Sequence, residues 1–255
     1  MDSHKLEAPS SYNSTGWDEL YAARGADVPA GRPIFTGDVF TGVSVEGDQG
    51  DRVITCAVLQ HPCSLRTDGV TLVERALVAE VVVRRVPNVK NWDGHFSIMP
   101  VPRLGEEADS EVKTDAGFEL GTCINFDALH VVRTSALTER VACLSLFGVN
   151  LLMQRWTKYM TRTTVPTSAI ALHTRPVYDE ADLCQEWCDQ MEATSPTRLD
   201  EEMRLFQQWL RAPQDDAQPN SVRLQEAGKV APVRMAMRKH LRSRPNGGSS
   251  GTSKG

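Results

Sequence analysis

The sequence contains no apolar run approaching the ~20 residues that a membrane-spanning helix needs. Its polar start, "MDSHKLEAPSSYNSTGWDEL", also lacks the apolar core of a secretion signal. These two absences predict a cytoplasmic protein that does not enter a membrane. Cysteine is scarce. Its six positions (Cys56, Cys63, Cys123, Cys143, Cys184 and Cys188) fall mostly inside apolar runs, where a thiol packs as a small hydrophobe. So few cysteines in so long a chain exclude a disulfide framework. Paired C-x2-C knuckles are missing, and no internal repeat argues for a solenoid.

What is present is an ordinary globular composition, 40% hydrophobic and 24% charged, which suffices for a core. The net charge of −5 is unevenly spread. Residues 178–218 hold eleven acidic and three basic side chains. Residues 221–244 hold seven basic ones (Arg223, Lys229, Arg234, Arg238, Lys239, Arg242 and Arg244) and one acidic. This asymmetry predicts that the basic segment docks on something acidic: this chain, a partner protein or a phosphate backbone.

Residues 1–32, rich in Ser, Gly, Ala and Pro, predict a loose arm. Strand-like segments follow. "VFTGVSV" is punctuated by glycine, "DRVITCAVLQ" is almost continuously apolar, and "RALVAEVVVRRV" is rich in β-branched valine. "HFSIMPVPRL", broken by prolines, fits an edge strand, and residues 117–137 predict one or two more. The period then changes. In "LFGVNLLMQRWTKYMTR", Leu152, Trp156 and Tyr159 share a helical face and leave Gln154, Arg155, Lys158 and Arg162 for solvent. Two further helices follow, the second capped by Ser195 with Pro196 at its first position. Strands first and helices after is the order of an α+β protein. The expected architecture is a small curled antiparallel sheet or SH3-like β-barrel over 33–145. A helical cover spans 146–212, and a linker with a basic tail occupies 213–255.

Three constellations are candidates for chemistry. His61 and Cys63 end the apolar strand in "LQHPCSLR", and an imidazolium beside a thiol lowers its pKa and makes a nucleophile. The same residues also read as a plain turn, with His61 capping it and Cys63 buried at a strand end. A zinc reading joins His61 and Cys63 to Cys184 and Cys188, which lie four apart on a helix face; otherwise no cofactor is expected. Asp38, after Gly37 at the head of "VFTGVSV", is either catalytic or a turn former. Arg84, Arg85, Arg140, Arg155, Lys158 and Arg162, with Trp156 and Tyr159, make a candidate nucleic-acid surface.

"GDVF", "VITCAVLQHPCSLR" and "RVACLSLFGVNLLMQRWTKYMTR" together resemble a group of small bacterial proteins with no settled function. In those proteins a Gly-Asp strand leads to an apolar strand ending in Gln-x-Cys-Asp. This chain has Ser64 in place of that Asp, which the resemblance implies is a lost acid. The Gly-Asp start is also similar to the SH3-like barrels of MazF/PemK-type toxins, which are ribonucleases. The expected function is a non-enzymatic binding or adaptor protein of a bacterial or phage assembly, with nucleic acid or a protein partner held by the basic tail. The alternative is a toxin-like ribonuclease or Cys-dependent hydrolase centred on His61 and Cys63.

Overall fold

The computed structural model describes residues 5–9, 18–46, 50–66, 71–87, 89–102, 104, 118–213 and 218–244. Residues 105–117 and those after 244 lie outside them, as does the side chain of Arg85. The strands are Tyr21–Arg24 (β1), Val39–Val45 (β2), Arg52–Val58 (β3), Arg75–Pro87 (β4), Ile98–Pro100 (β5), Phe118–Arg133 (β6) and Glu139–Leu144 (β7). The helices are Pro62–Leu65 (α1), Leu146–Thr161 (α2), Thr167–Gln190 (α3), Pro196–Arg211 (α4), Asn220–Arg223 (α5) and Val230–Ser243 (α6). The fold is α+β, strands first, as the sequence pattern implies.

The near-continuous apolar run of β3 has a physical cause. Successive side chains point to opposite faces of a pleated strand, and both faces of β3 are covered over its second half, from Cys56 to Val58. Ile54, Cys56 and Val58 enter one core with Phe40, Val78, Val132 and Leu137. Ala57 and the following Leu59 enter the other, with Val39, Ile124 and Leu144, beneath α2. All neighbouring strands are antiparallel, in the order β1-β7-β2-β3-β4-β6-β5. The sheet curls but does not close, so the SH3-like barrel is not formed. β5 is three residues long and ends at Pro100, which has no N–H to offer a further strand. β1 forms the other edge.

Two stretches differ from expectation. The segment read as a loose arm supplies β1, paired with β7. Further back, Leu6 is buried, and its N–H donates to Asp93 Oδ1 at 2.8 Å. The Glu7 carboxylate accepts the Thr167 N–H at the start of α3, a favourable place for negative charge. The water-facing side of α2 is also half wrong. Gln154 and Arg155 are each 1% exposed. Arg155 donates to the backbone carbonyls of Trp92, His95 and Ile98, and its guanidinium lies 4.3 Å from the Trp92 ring centroid. A pattern of charge along a helix cannot foresee backbone acceptors brought in from a distant loop.

The helices build a third core. Leu183, Cys184 and Trp187 of α3 meet Phe206, Trp209 and Leu210 of α4 and Val233, Met237 and Leu241 of α6. Ser195 caps α4, with Pro196 at its first position. The basic segment, expected as a tail, forms α6, and its Pro232 sits in the first turn, where a missing N–H costs nothing. The basic segment folds back on the chain. Arg234 and Arg238 pair with Glu186 of α3, and Arg244 with Glu202 of α4. Lys229 pairs with Glu226, Arg223 donates to Asn220, and Arg242 to the carbonyl of Arg238. Among the described residues, Lys239 alone of the seven makes no such contact.

Candidate anion-binding cleft

The "LQHPCSLR" stretch is a turn with defined chemistry. β3 runs into Gln60, whose side-chain amide donates to the Ser64 carbonyl at 2.8 Å and whose Oε1 accepts from Leu77 N–H at 3.1 Å, tying the turn to β4. Pro62 starts the single turn α1, and His61 caps it, with Nδ1 accepting the Cys63 N–H at 3.3 Å. Burial and the nearby His173 push the His61 imidazole below its ordinary range. Cys63, expected in the core, is instead exposed, because α1 turns the chain outward one residue after the proline and buries Leu65 in its place.

The zinc arrangement is not assembled. Cys184 and Cys188 are buried in α3 and hydrogen-bond each other, while Cys63 is exposed. Among the described residues, no group of three or more His, Cys, Asp or Glu is placed to hold a metal ion. The candidate nucleic-acid surface is likewise dispersed. Arg155 is interior, Lys158 pairs with Asp93, Arg162 lies over the Phe96 ring, and exposed Arg84 reaches Asn125. Trp156 and Tyr159 pack against Phe126.

What the fold does bring together is a set of arginines between the sheet and α4. Gly37 has φ +84°, a left-handed conformation that glycine adopts without strain. It closes a tight turn in which Asp38 Oδ2 accepts the Phe35 N–H at 2.9 Å. Asp38 is only 1% exposed, and Arg140 Nε of β7 lies 3.3 Å from it. Burial pushes the Asp38 carboxyl upward, against the pull of Arg140 and Arg32. Arg140 also donates to the Arg32 carbonyl at 2.9 Å. Asp38 is therefore enclosed in the turn beside Arg140, away from solvent.

Arg32 is 3% exposed and pairs through Nη1 with Asp182 of α3. The chain can approach α3 this closely because residue 31 is glycine: a Cβ there would lie 2.5 Å from Cβ of Cys188. The Arg32 guanidinium sits 4.7 Å from the Tyr178 ring centroid, and its Nε and Nη2 have no hydrogen-bond partner. Arg66, just after α1, donates Nη1 to the Ile34 carbonyl at 3.0 Å. No carboxylate among the described residues lies within salt-bridge distance of it. Burial is the main force pushing its guanidinium below the ordinary range. Cys184 opposes that shift, repulsion from Arg140 adds to it, and Glu180 and Asp38 pull more weakly the other way.

These three guanidiniums border a cleft of about 860 Å³ whose far wall is α4. Arg66 and Gln207 also border a smaller neighbouring lobe of about 370 Å³, lined by Cys63 and Arg211. Gln207 is 7% exposed with its Oε1 unpartnered, and Arg211 Nη1 is likewise unpartnered. Four arginines thus line the large lobe: Arg32, Arg66 and Arg140, with Asp182 and Asp38 paired behind Arg32 and Arg140, and an exposed Arg204. The acids that line the lobe, Glu139 and Asp200, are exposed, where water screens them. Glu180 of the small lobe pairs with Arg211. In comparisons with known proteins, no family model and no curated sequence matches the chain.

Of this cleft's chemically notable residues the sequence pattern singles out Arg140, Cys63 and Cys184, and gives all three other roles. Arg32 was assigned to the arm, and Arg66 and Gln207 carried no motif. The residues are scattered from position 32 to position 207, and only the third dimension collects them.

Proposed function

We propose that the protein is a binding protein whose ligand is an anion held in this cleft. The observation that carries the reading is Arg66: a half-buried guanidinium lining the cleft beside Arg32 and Arg140, with no carboxylate among the described residues within salt-bridge distance of it. Partial burial of a cation without an ion-pair partner is costly, and an arriving carboxylate or phosphate would relieve that cost through charge-assisted hydrogen bonds. Arg32, with two unpartnered nitrogens, supplies further donors at the same cleft. Such convergent polar groups in a large concavity are the usual signature of a ligand site. The reading moves the binding role away from the basic tail, most of whose cations are satisfied within the chain.

Thermal unfolding in sodium phosphate, compared with sodium chloride at equal ionic strength, tests it. At ten times the dissociation constant, linkage gives about 1.4 kcal/mol, or roughly 3–6 °C for a chain of this size. The rise should appear in the wild type and vanish in Arg66→Gln. Equal midpoints in both salts across accessible concentrations, or an undiminished rise in the variant, would count against the reading.

A second reading rests on Cys63. Its thiol is exposed, and it shares the small lobe with Arg66. Cys-dependent chemistry would require the thiol to react faster than a free cysteine at neutral pH, and to slow in Arg66→Gln.

A further inference from the structure

Resting on that reading, we infer that the ligand is an amphipathic anion: one carboxylate or phosphate group carried on an apolar body. The argument begins with size. At about 860 Å³ the large lobe falls within the range of drug-sized sites, far more than an inorganic ion occupies. The remainder of the lobe is walled mainly by apolar side chains. Phe40 and Leu137 come from one sheet core, Leu72 lies at its margin, and Leu199 and Met203 come from α4. Leu199 and Met203 belong to the apolar stripe of α4, yet unlike Phe206 and Leu210 they are only half-buried, because they face this opening rather than the helical core. The guanidiniums of Arg32, Arg66 and Arg140 border the same space.

A charged head at the arginines would therefore leave a tail lying between Leu72 and Met203, both only half-buried. A tail there covers apolar surface from two sides, which is the condition for the hydrophobic effect to add affinity with each carbon. A purely polar polyanion would leave these walls wet, and an apolar molecule without charge would leave Arg66 uncompensated.

Calorimetric titration of the full chain with straight-chain alkyl carboxylates and, separately, alkyl phosphates of two to ten carbons decides the matter, all below micelle-forming concentrations. Alkyltrimethylammonium ions of the same lengths serve as the opposite-charge control. The expected result is an affinity rising between about two- and fourfold per methylene, no binding of the cationic series, and a loss of at least tenfold for every anion in Arg66→Gln. Arg66→Lys, which keeps the charge, should retain part of the affinity. Leu199→Gln should flatten the rise with chain length while leaving the shortest anions unaffected. The better head group distinguishes a carboxylate ligand from a phosphate one. If short anions bind at Arg66 but affinity does not grow with length, the amphipathic inference is wrong and the anion site stands. If no anion binds, or if Arg66→Gln binds as the wild type does, the anion site itself is wrong.

Discussion

At the scale of single residues, the three cleft arginines differ in what their removal leaves behind. Arg140→Gln strips the nearest cation from Asp38, a carboxylate 1% exposed. Leaving such a charge unpaired should cost about 3–5 kcal/mol of stability, measured by denaturant unfolding. Arg66→Gln orphans no carboxylate and removes a half-buried cation, so without ligand its stability should match or exceed that of the wild type. A loss as large as that of Arg140→Gln would show that Arg66 is a structural residue and not a vacant binding group. The cysteines separate in the same way. Burial pushes the thiols of Cys56 and Cys143 up to about 12 and that of Cys123 to about 11. Cys63 alone is exposed. Brief alkylation of the native protein should give one adduct by mass spectrometry, at Cys63. Rapid labelling at a second thiol would contradict the packing described.

At the scale of elements, the last helix is held by a buried anchor. Glu202 of α4 accepts from Trp187 Nε1 at 2.8 Å and from Arg244 Nη1 at 2.9 Å. Burial alone would raise its pKa, but the hydrogen bonds from Arg244 and Trp187 outweigh burial and hold it below the ordinary glutamate range. A depressed folded pKa contributes stability that is complete above the unfolded value. That stability is lost as pH falls through the folded one. α6 should therefore stay docked at neutral pH and loosen below about pH 4, reported by the fluorescence of Trp187 and Trp209. Glu202→Gln should loosen it already at pH 7. Met237, fully buried against the same cluster, should cost about 2–5 kcal/mol when changed to Ala. The existence of these helices was legible in the sequence: Ser195 and Pro196 announced α4, and the acidic and basic halves announced that something would pair. What the pattern left open was the partner, because a charge run reads the same whether it meets its own chain, another protein or a phosphate backbone.

At the scale of the whole molecule, three apolar cores meet around one opening. The change of period near Ser145 and the class of the fold could be read from spacing alone, since pleat and helix impose their periods on the sequence. The openness of the sheet could not. It depends on a three-residue, proline-ended β5 failing to offer a further edge, and a barrel and a curled sheet share the same alternation. The cleft was illegible for a related reason. Its groups come from a loop before β2, the residue after α1, β7 and α4, and none of these segments has a pattern that marks it as functional. The most inviting motif, His61 with Cys63, proved to be a helix cap beside an exposed thiol, and its value lies in placing Arg66 one turn further on.

The most direct measurement is a crystal structure of the protein with octyl phosphate. The account predicts the phosphate within hydrogen-bond distance of the Arg66 and Arg32 guanidiniums, with the octyl chain running between Leu72 and Met203. A phosphate bound elsewhere, or a cleft holding only water at saturating ligand, would contradict it.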